Sequence, residues 1–207
     1  MPTHPLRTIS KYVTNFGGPY EFYTLATLGA YGFIFKNQKM KTTTLLATQA
    51  YITGAAVEGL LKTITGRTRP SLYGPNEIAK PMFKGPFAKS IDYTGAKTNS
   101  SFPSGHTTVA FAAATVYAME YKDKPLVPIL CYTSASLIGL SRITENKHWL
   151  TDVVVGAALG YLTGRQVVNN YHRYAAVKNA KAKKGDLSFN LQYSQSVVMP
   201  GLVYRFR

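Results

Sequence analysis

Three stretches of this 207-residue chain bring together residue types that can do chemistry. In SFPSGHTTVAF, residues 101–111, a helix-like apolar run follows a proline, a serine, a glycine and a histidine. Ser104 sits where an N-cap belongs, and Gly105 lets backbone approach a ligand closely. The free N–H groups of a helix start favour an anion, and His106 would stand beside it. A capped helix with an incidental histidine explains the tetrapeptide equally well. In KTITGRTRP, Lys62 and Arg69 are seven apart, two helical turns, so they can share one face. Arg67 would face elsewhere if the helix continued. Two cations at a helix end can also be simple dipole complementation. In SRITENKHWLTD, residues 141–152, His148 and Asp152 are four apart and can hydrogen-bond on a helix. A carboxylate on one imidazole nitrogen fixes the tautomer and leaves the other free to attack. Asp152 precedes the apolar run VVVGAALGYL, where a lone carboxylate is costly without a partner. A buried structural His–Asp pair is the alternative. Arg142 adds a third cation.

The combination is more specific than its parts. Lysine, six residues, Arg-Pro is followed by Pro-Ser-Gly-His, then by Ser-Arg, five residues, His, three residues, Asp. In this the chain resembles the type 2 phosphatidic acid phosphatase superfamily, which also contains the vanadium haloperoxidases. The resemblance implies that Lys62, Arg69 and Arg142 bind phosphate oxygens, with Ser104 and the Gly105 backbone completing the cradle. It implies that His148 attacks phosphorus to form a phosphohistidine, that Asp152 orients it, and that His106 protonates the departing oxygen and then activates water. No metal or other cofactor is implied, and vanadate is expected to inhibit. Three well-spaced cations agree with this, because phosphoryl transfer depends on positioning and on positive charge at the equatorial oxygens.

The elements that must carry these residues read as all-α. Helices are predicted over 19–36, 39–66, 105–121, 125–140 and 148–176, about five in one bundle, with a long loop over 71–101. Tyr73, Phe83, Phe87 and Tyr93 on that loop can shape a pocket mouth or merely anchor it. After the basic linker KNAKAKKGD the period becomes two in LSFNLQY and GLVYRFR, a strand pattern. The expected organisation is a helical phosphatase domain over 1–184 and a strand-like hairpin over 185–207 packed on it.

Composition narrows the partners. Lys and Arg number 24 against 9 Asp and Glu, a net +15, which attracts phosphorylated substrates and anionic membranes. No helix-turn-helix, zinc spacing or aromatic-basic sheet motif supports nucleic acid. Cys131 is the only cysteine, which excludes an intramolecular disulfide. The first residues show no basic-then-apolar secretion signal. The uncharged stretches Phe22–Phe35, Thr42–Val57, Thr107–Met119 and Pro125–Ser141 are shorter than the ~18–20 residues a spanning helix usually needs. With a mean hydropathy of -0.08, they read as buried helices of a soluble or peripheral bundle, with Pro125–Ser141 keeping an integral membrane protein open. The expected function is a metal-independent phosphatase on a lipid phosphate or diphosphate of the bacterial cell envelope, periplasmic or peripherally membrane-associated. A broad acid phosphatase on soluble phosphomonoesters and a vanadium haloperoxidase are the alternatives.

Overall fold

The computed structural model describes residues 5–16, 19–74, 76–91, 95, 97–183, 186–194 and 197–205. His4, Tyr93, Lys184 and Phe206 lie outside them. Six α-helices occur among the described residues: α1 Pro5–Phe16, α2 Pro19–Ile34, α3 Gln38–Thr65, α4 Gly105–Glu120, α5 Leu126–Thr144 and α6 Leu150–Lys183. Two short strands, β1 (Ser90–Ile91) and β2 (Lys97–Thr98), pair as a small antiparallel hairpin between α3 and α4. The chain forms two compact units, residues 1–168 and 169–207. The second holds the end of α6 and an antiparallel hairpin of two longer strands, β3 (Asp186–Ser194) and β4 (Val197–Arg205), in register from Asp186↔Arg205 to Ser194↔Val197.

In the first unit α4 packs against both α3 and α5, while α2 packs on α3 and α1 on α5. The ends of α3 follow local rules. The Asn37 side chain accepts from the Met40 N–H at its start, the usual N-cap bond. At its end Gly66 takes a left-handed φ of 55° as C-cap, a conformation that costs glycine little. A Cβ there would also collide with the Gly85 carbonyl. The loop after it lies back along the helix end: Thr68 N donates to Met82 O, Lys84 N to Gly66 O and Gly85 N to Thr65 O. Tyr73 is an anchor, its hydroxyl donating to the Lys80 carbonyl at 2.8 Å. Phe83 stacks edge-on to Phe102, and Phe87 lines a cleft.

The interior differs from the expected burial of the apolar stretches. Apart from Val116, its fully buried positions are small or polar: Thr43, Ala47, Ala50, Thr107, Thr108, Ala112 and Thr115 are each 0% exposed. Several of these hydroxyls are satisfied one turn back, Thr43 on Lys39 O, Thr108 on Ser104 O and Thr115 on Phe111 O, so their burial leaves no orphaned polar atom. The large side chains point outward instead, with Leu45, Leu60 and Leu130 each 64% exposed. Small residues let helices approach closely. Gly156, Gly160 and Gly164 of α6 face the carbonyls of Ser104, Thr108 and Ala112 along α4, where added Cβ atoms would collide with backbone. α5 is 19 residues long, reaches a mean hydropathy of 1.5 and is 28% buried over that window, which makes it long and apolar enough to cross a membrane.

Two helix boundaries depart from the sequence reading with consequences for chemistry. The segment 5–16 is a helix that sequence pattern did not reveal. α6 starts at Leu150 rather than at His148, because Asp152, three residues after Trp149, turns back to accept from the Trp149 N–H at 2.9 Å. That is the acidic half of a capping box.

Candidate active site

The three stretches meet where the C-terminal end of α3, the N-terminal end of α4 and the α5–α6 turn come together. Two adjoining clefts open there and share Lys89 and Asn99. One, of about 530 Å³, is lined by Arg69, Ser71, Lys89, Lys97, Thr98, Asn99, Arg142 and Lys147. The other, of about 580 Å³, has Lys62, Glu58 and Phe87 in its wall.

His148 is buried in the turn before α6, with its Nδ1 2.7 Å from the Ser101 carbonyl. A carbonyl can only accept, so Nδ1 carries the proton and Nε2 holds the lone pair. Asp152 stands further off, its Oδ2 3.6 Å from Nδ1. The direct His148–Asp152 hydrogen bond expected from i,i+4 spacing is therefore absent, since His148 precedes the helix. Asp152 is 0% exposed. It is held by the Trp149 N–H and by Arg67, whose Nη1 lies 2.5 Å from Oδ1 and also donates to Thr151 Oγ1 at 2.7 Å. The Arg67 guanidinium lies near the rings of Phe83, Phe102 and Trp149. Helical spacing points Arg67 away from the site, and here the structure corrects it. Gly66 ends α3 and turns the next residue inward.

The same stop removes Arg69 from any helix face shared with Lys62. Arg69 is placed by loop acceptors: Asn99 Oδ1 at 2.7 Å, Asn99 O at 3.1 Å, and the Ser100 and Lys147 carbonyls at 3.3 Å. Lys62 forms an ion pair with Glu58 one turn earlier. The Glu58 carboxylate also abuts Gly105, where a Cβ would stand 2.6 Å from Oε1. Arg142, at the end of α5, donates to Glu145 Oε2 at 3.2 Å and to the Thr14 hydroxyl at 3.0 Å, so the unforeseen α1 helps to fix a cleft cation. Its buried Nε–H has no hydrogen-bond partner.

Ser104 is the N-cap residue of α4 by position but makes no side-chain cap bond. Its hydroxyl pairs with that of Thr107 at 2.8 Å, and its N–H donates to the Asp152 carbonyl at 3.0 Å, tying α4 to α6. His106 is half-buried in the first turn of α4, within electrostatic reach of Arg142, His148, Lys62 and Arg69.

Burial first, then the charges of Arg69, Lys62 and Arg142, push the His148 imidazole down to about 4, with Asp152 opposing. The ring is thus neutral near pH 7, with Nε2 a free base. Burial, followed by the Arg142 charge, also lowers the Arg69 guanidinium from its ordinary value, while Asp152 and Glu58 pull the other way. Among the described residues no cluster of three His, Cys, Asp or Glu side chains could hold a metal ion.

Comparison with known proteins gives a consistent picture. The profile of the PAP2 superfamily matches residues 43–175. Lipid A 1-phosphatase of Porphyromonas gingivalis is 50% identical over 66 residues, 31% of this chain and 15% of that protein. The probable lipid phosphate phosphatase 4 of Arabidopsis thaliana is 33% identical over 132 residues, 53% of this chain and 41% of that protein. The chain spans less than half the length of the curated relatives it matches. Two solved structures share the fold. A transmembrane PAP2-type phosphatidylglycerolphosphate phosphatase from Bacillus subtilis has a TM-score of 0.57 at 21% identity, over 83% of this chain and 80% of that one. Aquifex aeolicus LpxE has a TM-score of 0.55 at 24% identity, over 81% and 88%.

Proposed function

The chain belongs to the PAP2 superfamily, and from that premise we propose that it is a membrane-embedded, metal-independent phosphatase of envelope lipid phosphates. The observation that carries the reading is a neutral, tautomer-fixed histidine among three cations. His148 Nδ1 is committed to the Ser101 carbonyl, while Arg69 and Arg142 line the adjoining cleft and Lys62 acts on the same ring. The unpartnered, buried Nε–H of Arg142 is a donor in want of an anion.

In the proposed reaction the phosphate monoester binds with its oxygens on Lys62, Arg69, Arg142 and the N-terminal end of α4. Lys62 turns from Glu58 toward the anion. His148 Nε2 attacks phosphorus in line as the P–O bond to the lipid breaks. Positive charge then gathers on the imidazole, and Asp152, 3.6 Å from Nδ1, offsets it. The bound phosphate offsets the neighbouring cations, so His106 takes up a proton as substrate enters and delivers it to the leaving alkoxide. It then takes one from the water that cleaves the phosphohistidine, which regenerates His148 and releases phosphate. The cations do the electrostatic work that metal ions do in many phosphatases. The outward-facing leucines and isoleucines of α3, α5 and α6 support a lipid setting, and the Porphyromonas and Arabidopsis relatives are lipid phosphatases by name.

The test is phosphate release from a lipid monophosphate by the purified protein in detergent, with chelator present. Release should persist, vanadate should inhibit it, and a quench on the millisecond scale should trap an acid-labile phosphoryl group on His148. Loss of release with chelator and its return with a divalent metal would overturn the metal-free mechanism. Unchanged turnover in His148→Ala would remove the nucleophile assignment.

A further inference from the structure

We propose that the outer part of the 530 Å³ cleft is a second anion subsite, which takes another phosphate or carboxylate of the same substrate molecule. This rests on the phosphatase reading and narrows its substrate class to lipids with at least two anionic groups. The cleft is of a size that holds a drug-sized ligand, ~300–1,000 Å³, far more than one phosphate fills. Arg69 and Arg142 are assigned to the scissile group. The same wall carries three further cations, Lys89, Lys97 and Lys147. None forms an ion pair with an acid among the described residues.

These lysines sit on backbone that is fixed relative to the catalytic cation. The Lys147 carbonyl itself accepts from Arg69 Nη1 at 3.3 Å. Lys97 lies two residues before Asn99, which holds Arg69 through both its side chain and its carbonyl. Lys89 directly precedes Ser90, which pairs with Thr98 in the β1–β2 hairpin, and the Thr98 hydroxyl donates to the Ser90 carbonyl at 3.2 Å. One hydrogen-bonded framework thus sets the spacing between the scissile-phosphate cation and all three lysines. Five cations around one opening repel each other, and a bound anion relieves that repulsion. Lysine, a point charge with rotatable donors on a flexible stem, suits phosphate or carboxylate without demanding one geometry. The lysines line a concave cleft, which favours a substrate group over the flat anionic surface of a bilayer.

The test compares two substrates in neutral detergent micelles. Dioleoyl phosphatidic acid presents one phosphate, and dioleoyl phosphatidylglycerol phosphate adds a diester phosphate beside its terminal monoester. The triple variant Lys89→Ala/Lys97→Ala/Lys147→Ala should lose at least ten-fold more kcat/KM on the second substrate than on the first. The triple arginine variant should keep the wild-type ratio, and rising salt should shrink the ratio in both of these but not in the alanine variant. A ratio unchanged within two-fold in the alanine variant would overturn the subsite. So would equal loss on both substrates seen only in anionic vesicles, which would assign the lysines to the bilayer. If the wild-type protein turned over neither substrate, the phosphatase reading itself would fall, and the subsite with it.

Discussion

At the scale of single residues, His148 and Arg67 carry the sharpest expectations. A buried His148 held down to about 4 should titrate well below the ordinary 6.5. Between about pH 6.5 and 4 the unfolded chain takes up a proton that the folded ring refuses. Stability therefore falls with acid across that window and is flat above it. Titration of the labelled imidazole by NMR in micelles checks this, and a midpoint near 6.5 would contradict the buried placement. Arg67 is the only cation within bonding distance of the buried Asp152 among the described residues. Removing one partner of a buried pair typically costs ~3–5 kcal/mol, because the other charge is left uncompensated. Arg67→Ala should therefore be strongly destabilising in a denaturant titration. Asp152→Asn in the same background should recover much of that loss, since a neutral amide does not need the guanidinium. If the two losses simply added, the ion pair would not be what holds Asp152.

Elements set the distances that residues cannot set for themselves. Asp152 is in the first turn of α6 and Ser104 caps α4, and the Ser104 N–H to Asp152 carbonyl bond joins them. Downstream, the helices stay close because Gly156, Gly160 and Gly164 leave room for the α4 backbone. Gly160→Ala should drive a methyl into the Thr108 carbonyl, costing ~1–3 kcal/mol as overpacking does, and should lower turnover by tilting both first turns. Gly59, in α3, has nothing within 4 Å of the place a methyl would take. Gly59→Ala should be neutral or stabilising by ~0.4–1 kcal/mol. Melting temperature and kcat of the two variants side by side measure the contrast. Equal effects would mean that the glycine stripe is not a packing seam.

For the whole molecule the decisive fact is the distribution of large apolar side chains. Exposed leucines, isoleucines and aromatics occur along α2, α3, α5 and α6, while threonine, alanine and glycine, with a few valines and leucines, fill the centre. An aqueous bundle with this much apolar surface would aggregate, whereas lipid tails accept it without cost. The protein should therefore remain in the membrane pellet through an alkaline carbonate wash and leave it only with detergent. Recovery in the carbonate supernatant would refute embedding and return the soluble-bundle reading. The net +15 acts in the same direction by favouring contact with anionic headgroups.

The sequence by itself determined the class of fold and the residues on which the proposed chemistry rests. Three motifs at fixed spacing carry the resemblance that implies a phosphate cradle, and helical periods of 3.6 followed by a period of two at residues 187–206 give a helical bundle with a terminal hairpin. The Arg69-Pro70 break and the Ser104 N-cap position placed the end of α3 and the start of α4 within a residue. What periodicity could not decide is which way a helix faces. Apolar residues beside Thr and Ala look the same whether the solvent is water or lipid, and only packing showed the small residues inside. Spacing found Asp152, 3.6 Å from the ring, but not the closer partner of His148. The i,i+4 rule assumes a helix, and the Asp152 capping bond starts α6 two residues later, which hands the Nδ1 proton to a carbonyl forty-seven residues away in sequence. Arg67, Glu58, Asn99 and Thr14 are not legible in the sequence for the same physical reason. Each acts on a group that only the tertiary fold brings within hydrogen-bonding or ion-pair range.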